Sequence, residues 1–391
     1  TLRSRHPVSV FTVALLAFTI FSIPACGQVQ ETALSDGGMV SSQQWIASQV
    51  GADVLAAGGN AVDAAIATGF ALAVTHPTAG NIGGGGFMVV RFPNGQSTTI
   101  DFREKAPLTA HPEMWLDENG DYSFEVHHRS HRAVGVPGTV AGFDKAHRLY
   151  GSSDWGDLVE PAVGLASDGF VLSEALAGSM ARFVSGRASQ YEATVAAFTN
   201  NGASYVAGDT WRQPDLGRTL ERIRDDRSDG FYRGTTARLI AAEMRRGNGL
   251  ITEEDLYRYE ARERTPITGT YRGYEVISMP PPSSGGVAIV TALNILEEFD
   301  LSSMGHNSAQ YLHHLAEAMR RAFRDRATHL ADADFVDVPT QHLTSKDYAA
   351  WLRRDLDPER ASVSHPSDVD QPYESPETTH YSVVDADGMA V

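Results

Sequence analysis

A chain of 391 residues with 42% hydrophobic side chains, 36 Gly and 18 Pro has the composition of a globular protein, long enough for two average domains or one large one. Its 32 Lys and Arg against 49 Asp and Glu leave a net charge of -17, a surface that repels phosphate backbones and argues against a nucleic-acid partner. Cys26 is the only cysteine, which excludes an intrachain disulfide.

The first residues differ in class from the rest. Arg3, Arg5 and His6 precede an apolar run from Val8 to Ile23, followed by Pro24-Ala25-Cys26-Gly27. A basic head, a short apolar stretch and a small residue read as a secretory signal over residues 1–25, outside the fold proper and short for a spanning helix. Ile23-Pro24-Ala25-Cys26 resembles the lipobox of bacterial lipoproteins, in which the cysteine carries the lipid. Pro24 departs from that pattern, and plain cleavage with release is the alternative. Residues 26–39 are polar and Gly-containing and read as a tether.

A helical hairpin comes next. Ser41 or Ser42 can cap a helix carrying Ile46, Val50 and Val54, which Gly58-Gly59 ends. Asn60 caps a second helix whose small-residue face, Val62, Ile66, Gly69 and Ala73, suits close packing, and Pro77 stops it. Gly83 to Gly86 then lead into a strand pair, Phe87 to Phe92 and Ser97 to Phe102, joined by Pro93-Asn94-Gly95. From Gly138 to Leu256 the pattern is helical, with signals at Thr235, Gly247 and the capping box Thr252 to Asp255. Tyr271 to Met279 reads as a strand. After the Pro280 to Gly286 turn, a helix bears Ile289, Leu293 and Leu296. A longer one, Ser308 to Leu330, carries Leu312, Leu315, Met319 and Phe323 on one face. Pro358 to Pro376 reads as an exposed loop before Thr378. His380 to Asp385 alternates as a strand, Asp387-Gly388 can turn the chain, and Met389 to Val391 begin a return. A half-built hairpin, and Thr rather than Met at position 1, read as a fragment at both ends.

Most of the polar clusters have structural readings. The glycines follow a helix and enter a strand, the reverse of a phosphate loop, and read as sites of close backbone approach or positive φ. His127, His128 and His131 read as a solvated loop, and His313, His314 and Glu317 as a polar helix face, neither with zinc-ligand spacing. No Gly-x-Ser-x-Gly elbow is present. Arg103, at the end of the second hairpin strand, reads from position alone as a surface residue paired with an acid; the sharper reading is a guanidinium fork on a substrate carboxylate. Thr378 would be a structural strand residue unless the chain were cut before it. An N-terminal threonine carries its own base, an α-amine with a pKa of about 7.7 to 8.

Five stretches carry a family resemblance: GGNAVDAAIATGFALAVTHPTAGNIGGGGFM, IDFREKAP, GVPGTVAGF, RTPITGTYRGYEVISMPPPSSGG and TTHYSVVDADG. The chain resembles the gamma-glutamyltranspeptidases, self-cutting N-terminal nucleophile hydrolases, over about Gly38 to Val391. The resemblance implies an α+β fold, the αββα sandwich of that superfamily, with residues 40–377 as large subunit and 378–391 as the start of a small subunit. Thr378 matches the nucleophile, Glu377-Thr378 the self-cleavage junction, and Arg103 the residue that binds the α-carboxylate of the gamma-glutamyl group. It implies no metal or organic cofactor. The expected partners are glutathione and other gamma-glutamyl compounds, amino acid or dipeptide acceptors and the chain's own small subunit. The expected location is the periplasm or cell envelope, otherwise secretion. A cephalosporin or glutaryl acylase of the same family, and a non-catalytic envelope lipoprotein, are the rival readings.

Overall fold

The computed structural model describes residues 34–186, 188–363 and 378–391. Cys26, Glu377 and the signal segment lie outside the described residues. Asp36 to Val391 form one compact unit. Its centre is an antiparallel sheet built from β1 (Gly38–Ser41), β2 (Phe87–Arg91), β3 (Ser97–Asp101), Arg262–Arg264 and Ser382–Asp385. β1 pairs with Ser382–Asp385, β2 with β3, and β3 with Arg262–Arg264.

The return predicted after Asp387-Gly388 joins these two halves. Val383 and Val391 exchange both backbone bonds at 2.8 Å, while Ala390 exchanges bonds of 2.8 and 2.9 Å with Arg91 on β2. Met389 to Val391 therefore lie between Ser382–Asp385 and β2.

Helices cover this sheet. α1 (Trp45–Ala56) and α2 (Ala61–Thr75) form the expected hairpin, and every residue of α2 is buried. The Asn60 side chain accepts from Val62 and Asp63, and Asp63 returns the bond to the Asn60 N–H. Small side chains let α2 sit close to its neighbours. At Gly69 a Cβ would overlap the Phe143 ring and come within 2.7 Å of the Tyr381 hydroxyl. Phe70 meets Phe143 and Trp155 edge-on at centroid distances of 5.1 and 5.6 Å, tying α2 to the helices Thr139–Tyr150 and Trp155–Ser167. Met88, Val90, Ile100 and Val383 from the sheet complete this core.

Several boundaries differ from expectation. Gln44, not a serine, caps α1, its Oε1 accepting from the Ile46 N–H at 2.6 Å, while Ser42 bonds Ser48. Thr235 lies inside the helix Gly234–Arg246, whose cap position is Arg233. Tyr271 ends one strand, Ile267–Tyr271, and the next is Tyr274–Ser278, because Arg272 and Gly273 take φ of +50° and +86° and turn the chain.

The largest departure is the helix Ala309–His329. Leu312, Met319 and Phe323 are 45 to 50% exposed, whereas His314, Glu317, Arg321 and Asp325 are buried. The buried face is ionic. Arg321 bonds the Glu317 carboxylate at 2.7 Å, the Leu352 carbonyl at 2.8 Å and Asp355 at 2.9 Å; Ser362 donates to Glu317 from its backbone at 3.1 Å and its hydroxyl at 2.6 Å. So His314 and Glu317 do lie on a polar helix face, as expected, but that face is buried. His127 and His128 do not form a loop: they lie on the short helix Phe124–Arg129, stacked between Trp115 and Phe124 with centroids 4.3 Å apart.

Candidate active site

Thr378 to Tyr381 lead into the strand Ser382–Asp385, which is paired with β1 on one side and buries its own Val383 in the core. This segment forms one wall of a cavity of about 430 Å³. The facing walls are the end of α2, the stretch from Ala79 to Phe87, the Phe102 to Glu104 turn, and the start of the helix Thr139–Tyr150. Thr378 lines the cavity and is exposed, while the Thr379 Oγ1 is buried without a hydrogen-bond partner among the described residues. Burial pushes the Tyr381 phenol well up, so it stays protonated at the cavity wall.

The glycine run shapes the opposite wall. None of Gly83 to Gly86 takes positive φ, so only the close-approach half of the expectation holds. A Cβ at Gly85 would lie 2.7 Å from the Glu104 N–H nitrogen, and one at Gly86 would lie 2.8 Å from the Phe102 ring. Asn81 fixes the run: its Oδ1 accepts from the Gly84 N–H at 2.9 Å and the Thr139 hydroxyl at 2.7 Å. The Gly84 carbonyl in turn accepts from Gly138 and Thr139 at 2.7 and 3.1 Å. Asn81, Glu104, Thr139 and Tyr381 were not singled out by sequence reasoning; for Asn81 the usable signal was a side chain with amide and carbonyl groups next to four glycines.

Arg103 lies between two residues that line this cavity, Phe102 and Glu104. Its guanidinium carbon is 5.8 Å from the centre of the Phe87 ring, another lining residue, and no carboxylate among the described residues pairs with it. The neighbouring acid, Asp101, accepts instead from the Arg103 backbone N–H at 3.0 Å and from Arg264 at 2.8 Å. Arg103 itself is not among the residues that line the cavity; a guanidinium with no carboxylate partner can take an anionic ligand by two-point contact.

A larger cleft of about 800 Å³ runs between Glu263 to Thr268 and Ala333 to Thr344 and contains neither Arg103 nor Thr378. Among the described residues no three His, Cys, Asp or Glu side chains are grouped to hold a metal ion, and no helix is long and apolar enough to cross a membrane.

The chain matches the family profile described as gamma-glutamyltranspeptidase over residues 47–391. It is 50% identical over 357 residues to the glutathione hydrolase proenzyme of Escherichia coli (strain K12), covering 90% of this chain and 61% of that protein. The glutathione hydrolase proenzyme of Pseudomonas sp. (strain A14) is 45% identical over 390 residues, covering 97% of this chain and 67% of that one. The acylase ACY 1 proenzyme of Pseudomonas sp. (strain SE83) is 37% identical over 392 residues, with coverages of 98% and 68%. Among solved structures, the Helicobacter pylori gamma-glutamyltranspeptidase superposes with a TM-score of 0.83 at 41% identity, covering 88% of this chain and 99% of that one. The chain thus spans about three fifths to two thirds of the length of these curated relatives.

Proposed function

The chain belongs to the gamma-glutamyltranspeptidase family and has its N-terminal nucleophile hydrolase fold, and from that premise we propose that it acts as a self-processing glutathione hydrolase and gamma-glutamyltransferase with Thr378 as nucleophile. The observation that supports the reading is the cavity lined by Thr378 on one side and, among its other walls, by Phe102 and Glu104, the two neighbours of Arg103. The two glutathione hydrolase proenzymes among its relatives support the same activity.

Two steps follow. The Thr378 hydroxyl attacks the Glu377 carbonyl, the acyl group moves from nitrogen to oxygen, and water hydrolyses the ester. That leaves a carboxylate on Glu377 and a free amine on Thr378. This amine then takes the hydroxyl proton as Thr378 attacks the gamma-carbonyl of glutathione or a related amide, and the proton passes to the departing amine. Arg103 holds the donor's α-carboxylate. Water releases glutamate from the ester; an amino acid or dipeptide gives a new gamma-glutamyl amide. Residues 40–377 serve as large subunit and 378–391 as the start of the small one, the two staying associated. The signal over residues 1–25 directs export to the periplasm or cell envelope, with Cys26 as lipid anchor or, on plain cleavage, release.

The test is the intact mass of the full gene product beside Thr378→Ala. Two wild-type fragments meeting between Glu377 and Thr378, with one uncut mutant chain, are expected; an uncut wild-type chain favours a non-catalytic binding protein. The likeness to the acylase proenzyme supports a second reading, acylase activity. Faster hydrolysis of glutaryl-7-aminocephalosporanic acid than of gamma-glutamyl-p-nitroanilide would select it.

A further inference from the structure

Arg103 follows the end of β3 by two residues and the last backbone exchange, Phe102 with Gly86, by one, so no sheet bond reaches its own N–H or carbonyl. Two side chains do. Asp101, 7% exposed, accepts from the Arg103 N–H through Oδ1 at 3.0 Å. Tyr259, 8% exposed, donates its hydroxyl to the Arg103 carbonyl at 2.8 Å. Both partners are themselves held. Arg264 donates Nε–H to the second oxygen of Asp101 at 2.8 Å and forks its other two nitrogens onto Asp334 at 2.9 Å each. Tyr259 lies stacked on Tyr232 with ring planes 9° apart, and its hydroxyl fills the place a Cβ at Gly138 would need.

The arrangement divides the work by charge. A carboxylate two residues from an arginine is within reach of its guanidinium, though an exposed pair of this kind is weak. Here Arg264 satisfies Asp101, which therefore holds the Arg103 backbone without competing for its side chain. The Tyr259 phenol, pushed up by burial and by the nearby Asp101 and Glu104 carboxylates, keeps its proton and remains a donor.

We propose that Asp101, backed by Arg264, and Tyr259 are positioning residues that fix the Arg103 backbone so that its guanidinium meets the α-carboxylate of a gamma-glutamyl donor. The proposal rests on the reading of Arg103 as the donor-carboxylate residue, and it adds the groups that hold it. Binding groups whose own backbone is locked by a second layer of contacts lose less order when the ligand arrives.

The test is a double-mutant cycle on the full gene product with gamma-glutamyl-p-nitroanilide. Tyr259→Phe removes one hydroxyl and keeps the ring in its stack; it is expected to raise KM by about fivefold to tenfold with kcat changed less than twofold. In an Arg103→Lys background the same change adds less than about twofold, because the two residues act through one contact. Asp101→Asn is expected to raise KM in the same way. A merely structural role predicts a lower melting temperature, an unchanged KM, and the same effect in either background; that outcome overturns the proposal. Wild-type hydrolysis with an Arg103→Lys KM defect keeps the functional reading standing whichever way Tyr259 falls. A wild type inactive on the donor overturns both.

Discussion

At Arg103 the backbone is held by Asp101 and Tyr259 while the guanidinium pairs with no carboxylate among the described residues, and this separation makes its substitution informative. Lysine keeps the charge but offers one contact point where the guanidinium offers a fork. Arg103→Lys is expected to raise KM for gamma-glutamyl-p-nitroanilide by about tenfold or more, the loss of a bidentate charged contact. Self-cleavage, which needs no external carboxylate, should slow far less in a mass-spectrometric time course. Equal damage to both would make Arg103 structural. Gly69 is the other position where one atom decides. A Cβ there overlaps the Phe143 ring and approaches the hydroxyl of Tyr381, three residues beyond Thr378. Gly69→Ala should cost about 1 to 3 kcal/mol by overpacking, seen in chemical denaturation. It should also slow self-cleavage beyond the loss of folded protein, since the displaced tyrosine lies on the cavity wall.

Among elements, the helix Ala309–His329 contains the sharpest conflict between pattern and packing. Apolar periodicity marks Leu312, Met319 and Phe323 for the core, yet they are half exposed while Glu317 and Arg321 are buried in a bonded cluster. A mutant pair separates the two faces. Arg321→Ala leaves Glu317 buried without its main charged partner and should cost about 3 to 5 kcal/mol. Phe323→Ala, half in solvent, should cost under about 1 kcal/mol, below the usual range for a fully buried phenylalanine. Urea midpoints in the reverse order would restore the apolar face to the core. The same contrast explains what was readable. α2 was legible because Asn60, Asp63, the small residues and Pro77 all agree on one helix. The long helix was not, because periodicity reports that one face is apolar and says nothing of an ionic face finding its partners in Leu352, Asp355 and Ser362, far along the chain. The roles proposed for Thr378 and Arg103 come only from family resemblance. From position alone Arg103 reads as a surface residue paired with an acid, and no local signal reveals that Arg264, 161 residues further on, occupies that acid.

At the scale of the molecule, the Glu317 cluster joins the helix Ala309–His329 to Leu352, Asp355 and Ser362, and its state depends on pH. Burial alone would push the Glu317 carboxyl up; the Ser362 hydroxyl and N–H and the Arg321 guanidinium outweigh it and hold the group at about 2, against an ordinary 4.5. A carboxyl depressed in the folded state stabilises the fold fully above its unfolded value and loses that contribution as pH falls from about 4.5 towards 2. The shift corresponds to roughly 3 kcal/mol at neutral pH. Glu317→Gln should therefore be less stable than the wild type by an amount of this order at pH 7, and the gap should narrow steadily below pH about 4.5. Urea titrations of both proteins at several pH values measure the gap directly. A gap that stays constant into acid would mean that packing and neutral hydrogen bonds, rather than the ionised carboxylate, hold this part of the molecule together.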